Sequence, residues 1–174
     1  MPEPLLHFIV PFSVLVMCGI GLKKSAFFAS FALVPDLDVL FHIHRSFSHS
    51  AIIIFLLCAP AVIIPAVKHS GRTYDAAMVT LVVLSHPFLD MFTYFTPLFW
   101  PLYNYSIYIV AELMTNMENI AKVQWVFDIK LQPVMFNQTL SIDAPIFTSP
   151  CVAVTLVITL GLVLNNFVRK KIGF

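Results

Sequence analysis

The sequence predicts an all-α, polytopic integral membrane protein with about five transmembrane helices and an outer amphipathic segment. Of its 174 residues, 59% are hydrophobic and only 11% are charged, and the mean hydropathy is +0.90. A soluble domain carries roughly 25% charged residues. The apolar residues also fall into long runs that end at short basic segments. This composition leaves too few polar residues to cover a water-soluble fold of this length.

Five apolar stretches follow one another along the chain, and each approaches the ~20 residues that cross a bilayer as a helix. The first ends at two lysines, the third ends just before a lysine, and the fifth ends at Arg169-Lys170-Lys171. The second and fourth stretches contain aspartate, and the fourth also contains histidine. The predicted spans are residues 5–22, 25–41, 51–67, 76–102 and 145–168.

The distribution of basic residues predicts the orientation, because lysine and arginine accumulate on the cytoplasmic side of membrane proteins. The topology that leaves most lysines and arginines in the cytoplasm has the N-terminus on the extracytoplasmic side and the C-terminus in the cytoplasm. The predicted site then faces the extracytoplasmic side. We therefore expect a single membrane domain, 1–174, in which 1–102 forms the helices that carry the site, 103–144 an extracytoplasmic amphipathic segment and 145–174 the last helix. Asn104 and Asn137 begin glycosylation sequons in the outer segment.

Charge and cysteine usage exclude two classes of function. The net charge of +1 gives no electrostatic basis for nucleic-acid binding. Cys18, Cys58 and Cys151 are far apart in apolar runs and form no CxxC pair. We therefore expect neither a disulfide framework nor a cysteine metal site.

Six ionisable side chains interrupt the apolar stretches or lie at their edges, where charged groups are costly and mark functional sites. Counted along the predicted spans at 1.5 Å per helical residue, all six fall at similar depths in the outer half of the bilayer. Mixed imidazole and carboxylate ligands suit zinc, manganese or iron. Six ligands exceed the four of a closed zinc site, so we expect two or three ions, with zinc preferred. The predicted metal ligands are His7, Asp36, Asp38, His49, His86 and Asp90.

Local spacing supports this site. His86 and Asp90 are four residues apart, which places both on one helix face, and Asp36 and Asp38 follow Pro35, which loosens the preceding backbone. Arg45 offers a planar set of donors suited to phosphate. Asp38 and Asp90 are the candidate catalytic carboxylates, and the sequence leaves open which of the aspartates acts as the base.

Other interpretations remain open for each motif. The His86–Asp90 pair also fits a polar contact with a neighbouring helix, and the two early aspartates fit a polar turn. The segment at 44–50 fits a polar outer loop with an interfacial arginine, and His7 fits an interfacial residue. A divalent-cation transporter or channel is the alternative function, although its pathway needs polar groups in both halves of the membrane. A membrane protein with a purely structural metal, and no catalytic activity, is the remaining possibility.

The ordered motifs resemble the YdjM-type membrane-bound metal-dependent hydrolases. The matching elements are His7, the PDLD sequence at 35–38, the HRSFSHS sequence at 44–50, His86 to Asp90 with Thr93, and 98–101. Ser46 stands where the family's usual pattern has glycine, and Ser48 stands where it has threonine.

The resemblance implies similarity to zinc-dependent phospholipases C, which are helical phosphoesterases. It also implies that His44 and Ser48 join Arg45 in binding the substrate. The hypothesis is a membrane-embedded hydrolase that uses a metal-activated water on a phospholipid or another lipid-linked phosphate, with membrane lipid as its partner.

Overall fold

The chain forms a mixed α/β structure. The computed structural model describes residues 4–41, 46–116, 119–136 and 148–172. Three short 3-10 helices link α2 to α3, and a hairpin of two strands separates α4 from α5. In chain order the main elements are α1 (Pro4–Met17), α2 (Leu22–Ser30), α3 (Ala51–Val67), α4 (Thr73–Asp90), β1 (Tyr105–Asn116), β2 (Asn119–Pro133) and α5 (Ser149–Ile172).

A small apolar core joins the first, second and fourth helices. Leu15 of α1, Phe28 of α2 and Val82 of α4 pack around Ala32, which is fully buried in the 3-10 helix Phe31–Leu33. Gly19 makes the tight connection between α1 and α2, where its φ of +86° is a conformation that glycine adopts without steric cost. The core therefore fixes α4 against the segment that leads into the two aspartates.

The segment between α2 and α3 is built from short turns with side-chain caps. Pro35 opens the second 3-10 helix, Pro35–Phe41, where its fixed φ suits a helical start. Ser46 caps the third, Phe47–His49, by accepting from the backbone N–H of Ser48. Ser50 then caps α3 by accepting from the backbone N–H of Ile53 at 3.3 Å.

The prediction of an all-α fold is wrong, because β1 and β2 pair as an antiparallel hairpin. Where the sequence predicted an outer amphipathic segment at 103–144, the described part forms strands. The physical reason is an alternation of apolar and polar residues with a period of two, the spacing at which every second side chain points to the same side of a sheet. In β2 this alternation places Trp125, Phe127, Ile129 and Leu131 on one face.

The predicted transmembrane helices are also not borne out. Across 4–41, 46–116, 119–136 and 148–172, no helix combines the length and the apolar character needed to cross a bilayer. The second predicted span divides into α2 and 3-10 turns, and the fourth stops at Asp90 instead of continuing to Leu102. Pro35 follows the first 3-10 turn and begins the second, and after Asp90 the backbone bonds to the hairpin and to α3 instead of continuing the helix. The third predicted span coincides with α3.

The loop that follows α4 ties the start of α3 to the hairpin. The N–H of Ala51 donates to the carbonyl of Leu98 at 2.9 Å, and the N–H of Ile109 donates to the carbonyl of Met91 at 2.8 Å. Thr96 and Ile107 exchange two backbone hydrogen bonds of 2.9 Å. Together these bonds fix the end of α4 relative to the residues just before α3.

Candidate metal centre

Four separate elements bring five polar side chains to one buried point. His7 comes from α1, Asp36 from the second 3-10 helix, His49 from the third, and His86 and Asp90 from consecutive turns of α4. The three histidines and Asp90 are fully buried. Asp36 is 15% exposed at its side chain, so the cluster reaches solvent on that side. Imidazoles and carboxylates far apart in the chain thus share one interior site.

Four donor atoms in this cluster have five separations that are close to those between the ligands of a tetrahedral metal. They are His49 Nε2, His86 Nε2, Asp36 Oδ1 and Asp90 Oδ2. The two imidazole nitrogens are 3.2 Å apart. From His49 Nε2 the oxygens of Asp90 and Asp36 lie at 3.2 and 3.6 Å, and from His86 Nε2 they lie at 3.6 and 3.4 Å. Bonds of about 2.0–2.1 Å to a tetrahedral zinc separate its ligand atoms by roughly 3.3–3.4 Å. The donor types and these five separations are those expected around a divalent cation such as zinc.

The orientation of His86 is set from outside the cluster. Its Nδ1 lies 2.7 Å from the carbonyl oxygen of Ala32. A carbonyl can only accept, so Nδ1 carries the proton and Nε2 presents its lone pair to the cluster. Hydrogen bonding of the second ring nitrogen is how proteins orient a metal-ligating histidine.

His7 extends the cluster on its other side. Its ring stacks on that of His86 with 3.8 Å between centroids, and its Nε2 lies 3.4 Å from Asp90 Oδ1. Asp90 therefore points one oxygen toward His7 and the other toward His49. Within the described part of the chain, His7 Nδ1 and Asp36 Oδ2 are buried without a hydrogen-bond partner. Buried polar atoms in that state are costly unless a ligand satisfies them, which also fits a metal site.

The carboxylates and histidines shift one another's protonation. Burial disfavours charge on Asp36 and Asp90, but hydrogen bonds from neighbouring histidines outweigh burial and hold the pKa of each carboxyl well below its usual range. Burial also opposes protonation of His49, but hydrogen bonds to three aspartates raise its pKa to about 10. For His7 burial dominates and lowers the pKa below 6.5. The cluster thus holds ionised carboxylates and one histidine that gives up a proton when it binds a cation.

Asp38 occupies a different position from the other predicted ligands. Its Oδ2 lies 3.3 Å from His49 Nδ1, the ring nitrogen opposite the Nε2 that faces the cluster. In the described chain, two groups of three residues have ligand atoms close enough together to hold a metal ion. One group is His7, His86 and Asp90, and the other is Asp36, His49 and His86. Of the six predicted ligands, five therefore lie in the cluster, and Asp38 lies on the opposite side of the His49 ring.

The remaining predicted residues lie elsewhere. His44 and Arg45, predicted to bind substrate, lie outside the described residues, as does the sequon at Asn137. The Ser48 hydroxyl, predicted to bind substrate, donates to Asp38 Oδ2 at 2.8 Å. Sequence reasoning missed the structural contribution of Ala32, because a backbone carbonyl leaves no trace in residue type.

The family of the chain follows from a match over most of its length. The family described as YdjM inner membrane protein matches residues 7–169, which include every member of the cluster. The chain belongs to the YdjM inner membrane protein family. The family name indicates an inner membrane protein. No curated protein and no solved structure matches the chain.

Membership in the YdjM family confirms the resemblance seen in the motifs. The matched range begins at His7 and extends through the hairpin and into α5. It does not bear on the likeness to zinc-dependent phospholipases C, which stays a prediction. The buried histidines and aspartates supply a possible metal site within this YdjM-family chain.

Proposed function

We propose that this protein is a metal-dependent hydrolase that acts on a phosphoester. The observation that carries the proposal is the convergence of the carboxylates of Asp36 and Asp90 on the Nε2 atoms of His49 and His86, at 3.2 to 3.6 Å from each. A bound divalent cation supplies Lewis acidity toward a phosphoryl oxygen and toward an attacking water. The residues of the chain hold the cation, orient its ligands and keep bulk water from all but one side.

Zinc is the cation that the donor set favours. Two imidazole nitrogens with two carboxylate oxygens are a common zinc environment, and the observed separations are wider than the roughly 3.0 Å between adjacent ligands of an octahedral magnesium at about 2.0–2.1 Å. We propose a second, weaker cation between His7 and Asp90 Oδ1. His86 cannot serve both cations, because its Nδ1 is engaged with Ala32 and only Nε2 has a lone pair available.

Each carboxylate has a distinct task in this proposal. Asp90 has one oxygen near His7 and the other near His49, so it would help to hold both cations. Its low pKa keeps it ionised, which suits a ligand better than a proton acceptor at neutral pH. Asp36 lies at the only partly exposed edge of the described cluster, so substrate and water would approach past its carboxylate.

Membrane lipid is the proposed partner, and a phospholipid head group or another lipid-linked phosphate is the proposed substrate. The inner-membrane description of the family supports this choice. The hairpin supports it too, because the cross-strand register places apolar residues opposite one another along one whole face. On that face Trp125 is 78% exposed and Phe127 is 69% exposed. Aromatic side chains of this kind are favoured where protein meets the lipid head groups.

We also propose that the site faces the extracytoplasmic side, as the charge distribution of the sequence predicts. Phe47 adjoins the cluster and is 54% exposed, so it is a suitable labelling position. Phe47→Cys in intact cells would react with a membrane-impermeant thiol reagent if the site faces outward. Protection until the membrane is opened would place the site on the cytoplasmic side and contradict the proposal.

Metal analysis combined with a hydrolysis screen tests the function. The wild type is expected to bind zinc and to cleave phospholipid or phosphodiester substrates, and Asp90→Asn and His86→Gln are expected to lose both properties. Asp75→Asn is the matched control, because Asp75 pairs with Lys24 at 2.6 Å on the surface, outside the cluster. Stoichiometric zinc without hydrolysis of any lipid phosphate would favour a structural metal, and zinc transport into vesicles would favour a transporter.

A further inference from the structure

We propose that Asp38 is a positioning residue that holds the imidazole of His49 for metal binding and does not itself contact the cation. The inference rests on the proposed metal site and assigns Asp38 a different role from the one its residue type predicts. Ser46 and Ser48 help to hold Asp38 in place through hydrogen bonds to its carboxylate. All three lie within eleven residues of one another, in the turns that precede α3.

One oxygen of Asp38 receives several donors from this turn. Oδ2 accepts from the backbone N–H of Ser46 at 3.1 Å, from the Ser46 hydroxyl at 3.0 Å and from the Ser48 hydroxyl at 2.8 Å. It also lies 3.3 Å from His49 Nδ1. A carboxylate oxygen offers about two lone pairs, so these donors already occupy Oδ2. The oxygen that faces His49 is therefore held in place and has no lone pair left for a cation.

The hydroxyl of Ser48 fixes the direction of the hydrogen bonds. It lies 3.0 Å from His49 Nδ1 as well as 2.8 Å from Asp38 Oδ2. A hydroxyl has one proton, and the carboxylate can only accept, so Ser48 donates to Asp38 and accepts from His49. His49 Nδ1 therefore carries a proton that it shares between Ser48 and Asp38.

This arrangement leaves His49 Nε2 as the nitrogen for the cation. Nε2 is the atom that lies near His86 Nε2 and Asp90 Oδ2, at 3.2 Å from each. Asp38 acts on His49 as the carbonyl of Ala32 acts on His86, since each fixes Nδ1 from outside the cluster. Both imidazoles are thus oriented before any cation arrives.

Ser46 adds a hydroxyl contact to Asp38 that a glycine at this position could not make. Ser46→Gly would keep the backbone N–H that donates to Asp38 and remove only the hydroxyl bond. It therefore provides a graded variant between the wild type and a full replacement of Asp38. Asp38→Asn keeps the shape of the side chain and makes it a weaker acceptor.

The first experiment is proton NMR of the metal-free protein. An imidazole N–H bonded to a carboxylate in a buried site gives a downfield, slowly exchanging signal. Both ring nitrogens of His49 face carboxylates, so His49→Gln identifies its two N–H signals and ¹⁵N labelling of the ring distinguishes the Nδ1 signal. We expect Asp38→Asn to shift this signal upfield or abolish it, whereas Asp36→Asn leaves it in place, because Asp36 faces Nε2. A signal unchanged in Asp38→Asn would overturn the inference whether or not the protein binds a metal.

The second experiment replaces zinc with Co²⁺ and records its visible absorption and affinity. In Asp38→Asn we expect the same number of bound ions and the same absorption, with affinity reduced about 10- to 100-fold, the usual effect of losing the partner that orients a ligand. Ser46→Gly should give a smaller loss. In Asp36→Asn, in contrast, the absorption should change because a ligand atom is lost.

The outcomes separate the positioning role from the proposed function. If Asp38→Asn changes the Co²⁺ absorption as Asp36→Asn does, Asp38 is a ligand and the inference fails. If Asp38→Asn has wild-type affinity, Asp38 does not position His49 and the inference fails as well. If the wild type binds no Co²⁺ or zinc, the proposed function fails, and the NMR signal alone then decides the role of Asp38.

Discussion

Metal binding by this protein should release a proton, and the structure specifies its source. In the metal-free state the pKa of His49 is raised to about 10, so its imidazole is protonated at pH 7. A metal takes the neutral imidazole. The cation that binds between His49 and His86 at neutral pH should therefore displace close to one proton from His49. Asp36 and Asp90 contribute none, because their lowered pKa values keep them ionised above pH 6.

The size of the effect follows from the distance between pH and pKa. One pKa unit corresponds to 1.36 kcal/mol, so displacing the proton at pH 7 costs about 4 kcal/mol, or roughly 1,000-fold in affinity. The cost falls as pH rises toward 10. Between pH 7 and 9 the apparent zinc affinity should therefore increase about tenfold per pH unit, after correction for buffer and hydroxide complexes.

Isothermal titration calorimetry in buffers of different ionisation enthalpy counts the released protons directly. We expect about one proton per zinc for the wild type at pH 7. His49→Gln should bind more weakly and release none. His69→Asn is the matched control: His69 is exposed, outside the cluster and at a positive φ that asparagine tolerates, so this variant should behave as wild type. Zinc binding without proton release in the wild type, or equal release in His49→Gln, would refute the assignment.

Three further predictions concern other parts of the structure. His86→Gln removes a ligand, so zinc affinity measured by chelator competition should fall by more than the ~100-fold upper range for an outer partner; a change below tenfold would contradict the tetrahedral set. Without metal, the stability from the raised pKa of His49 is full below pH ~6.5 and is lost toward pH 10, so urea midpoints should decline from pH 6 to 9.5, and a flat profile would exclude this contribution. In brominated phospholipid vesicles, Trp100→Phe should leave Trp125 emission strongly quenched, whereas in Trp125→Phe the half-buried Trp100 should be quenched little; equal quenching would argue against lipid contact through the hairpin.

Residue chemistry was enough to single out the five side chains that the structure brings together, although it added Asp38 to them. Histidine and aspartate are rare in apolar stretches, so His7, His49 and Asp90 stood out against their surroundings. The spacing of His86 and Asp90 placed both on one face of α4. Asp38 shows the limit of this reasoning, because residue type cannot tell which edge of an imidazole a carboxylate meets. That choice depends on the turn around Ser46, which only the structure reveals.

The fold was harder to predict from the same sequence. Hydropathy alone identified α3, where the apolar run and the helix have the same bounds. It failed after Asp90, where the residues remain apolar but the backbone leaves the helix and bonds to the hairpin and to α3. The hairpin itself was signalled by an apolar alternation with a period of two from Trp125 to Leu131, which average hydropathy conceals.

The convergence of the site has a different cause from the one that its prediction assumed. Equal depth along membrane-spanning helices suggested that the residues meet, yet the contacts that bring them together are local turns and buried packing. Ala32 belongs to the apolar core with Phe28 and Val82, and its carbonyl orients His86. The orientation of His86 therefore depends on the packing of the core. A shift of α4 against the 3-10 turn would change the packing of Val82 and, at the same time, move His86 away from the carbonyl of Ala32. Ala32 thus serves two purposes: its burial stabilises the fold, and its carbonyl orients the imidazole of His86 for a cation.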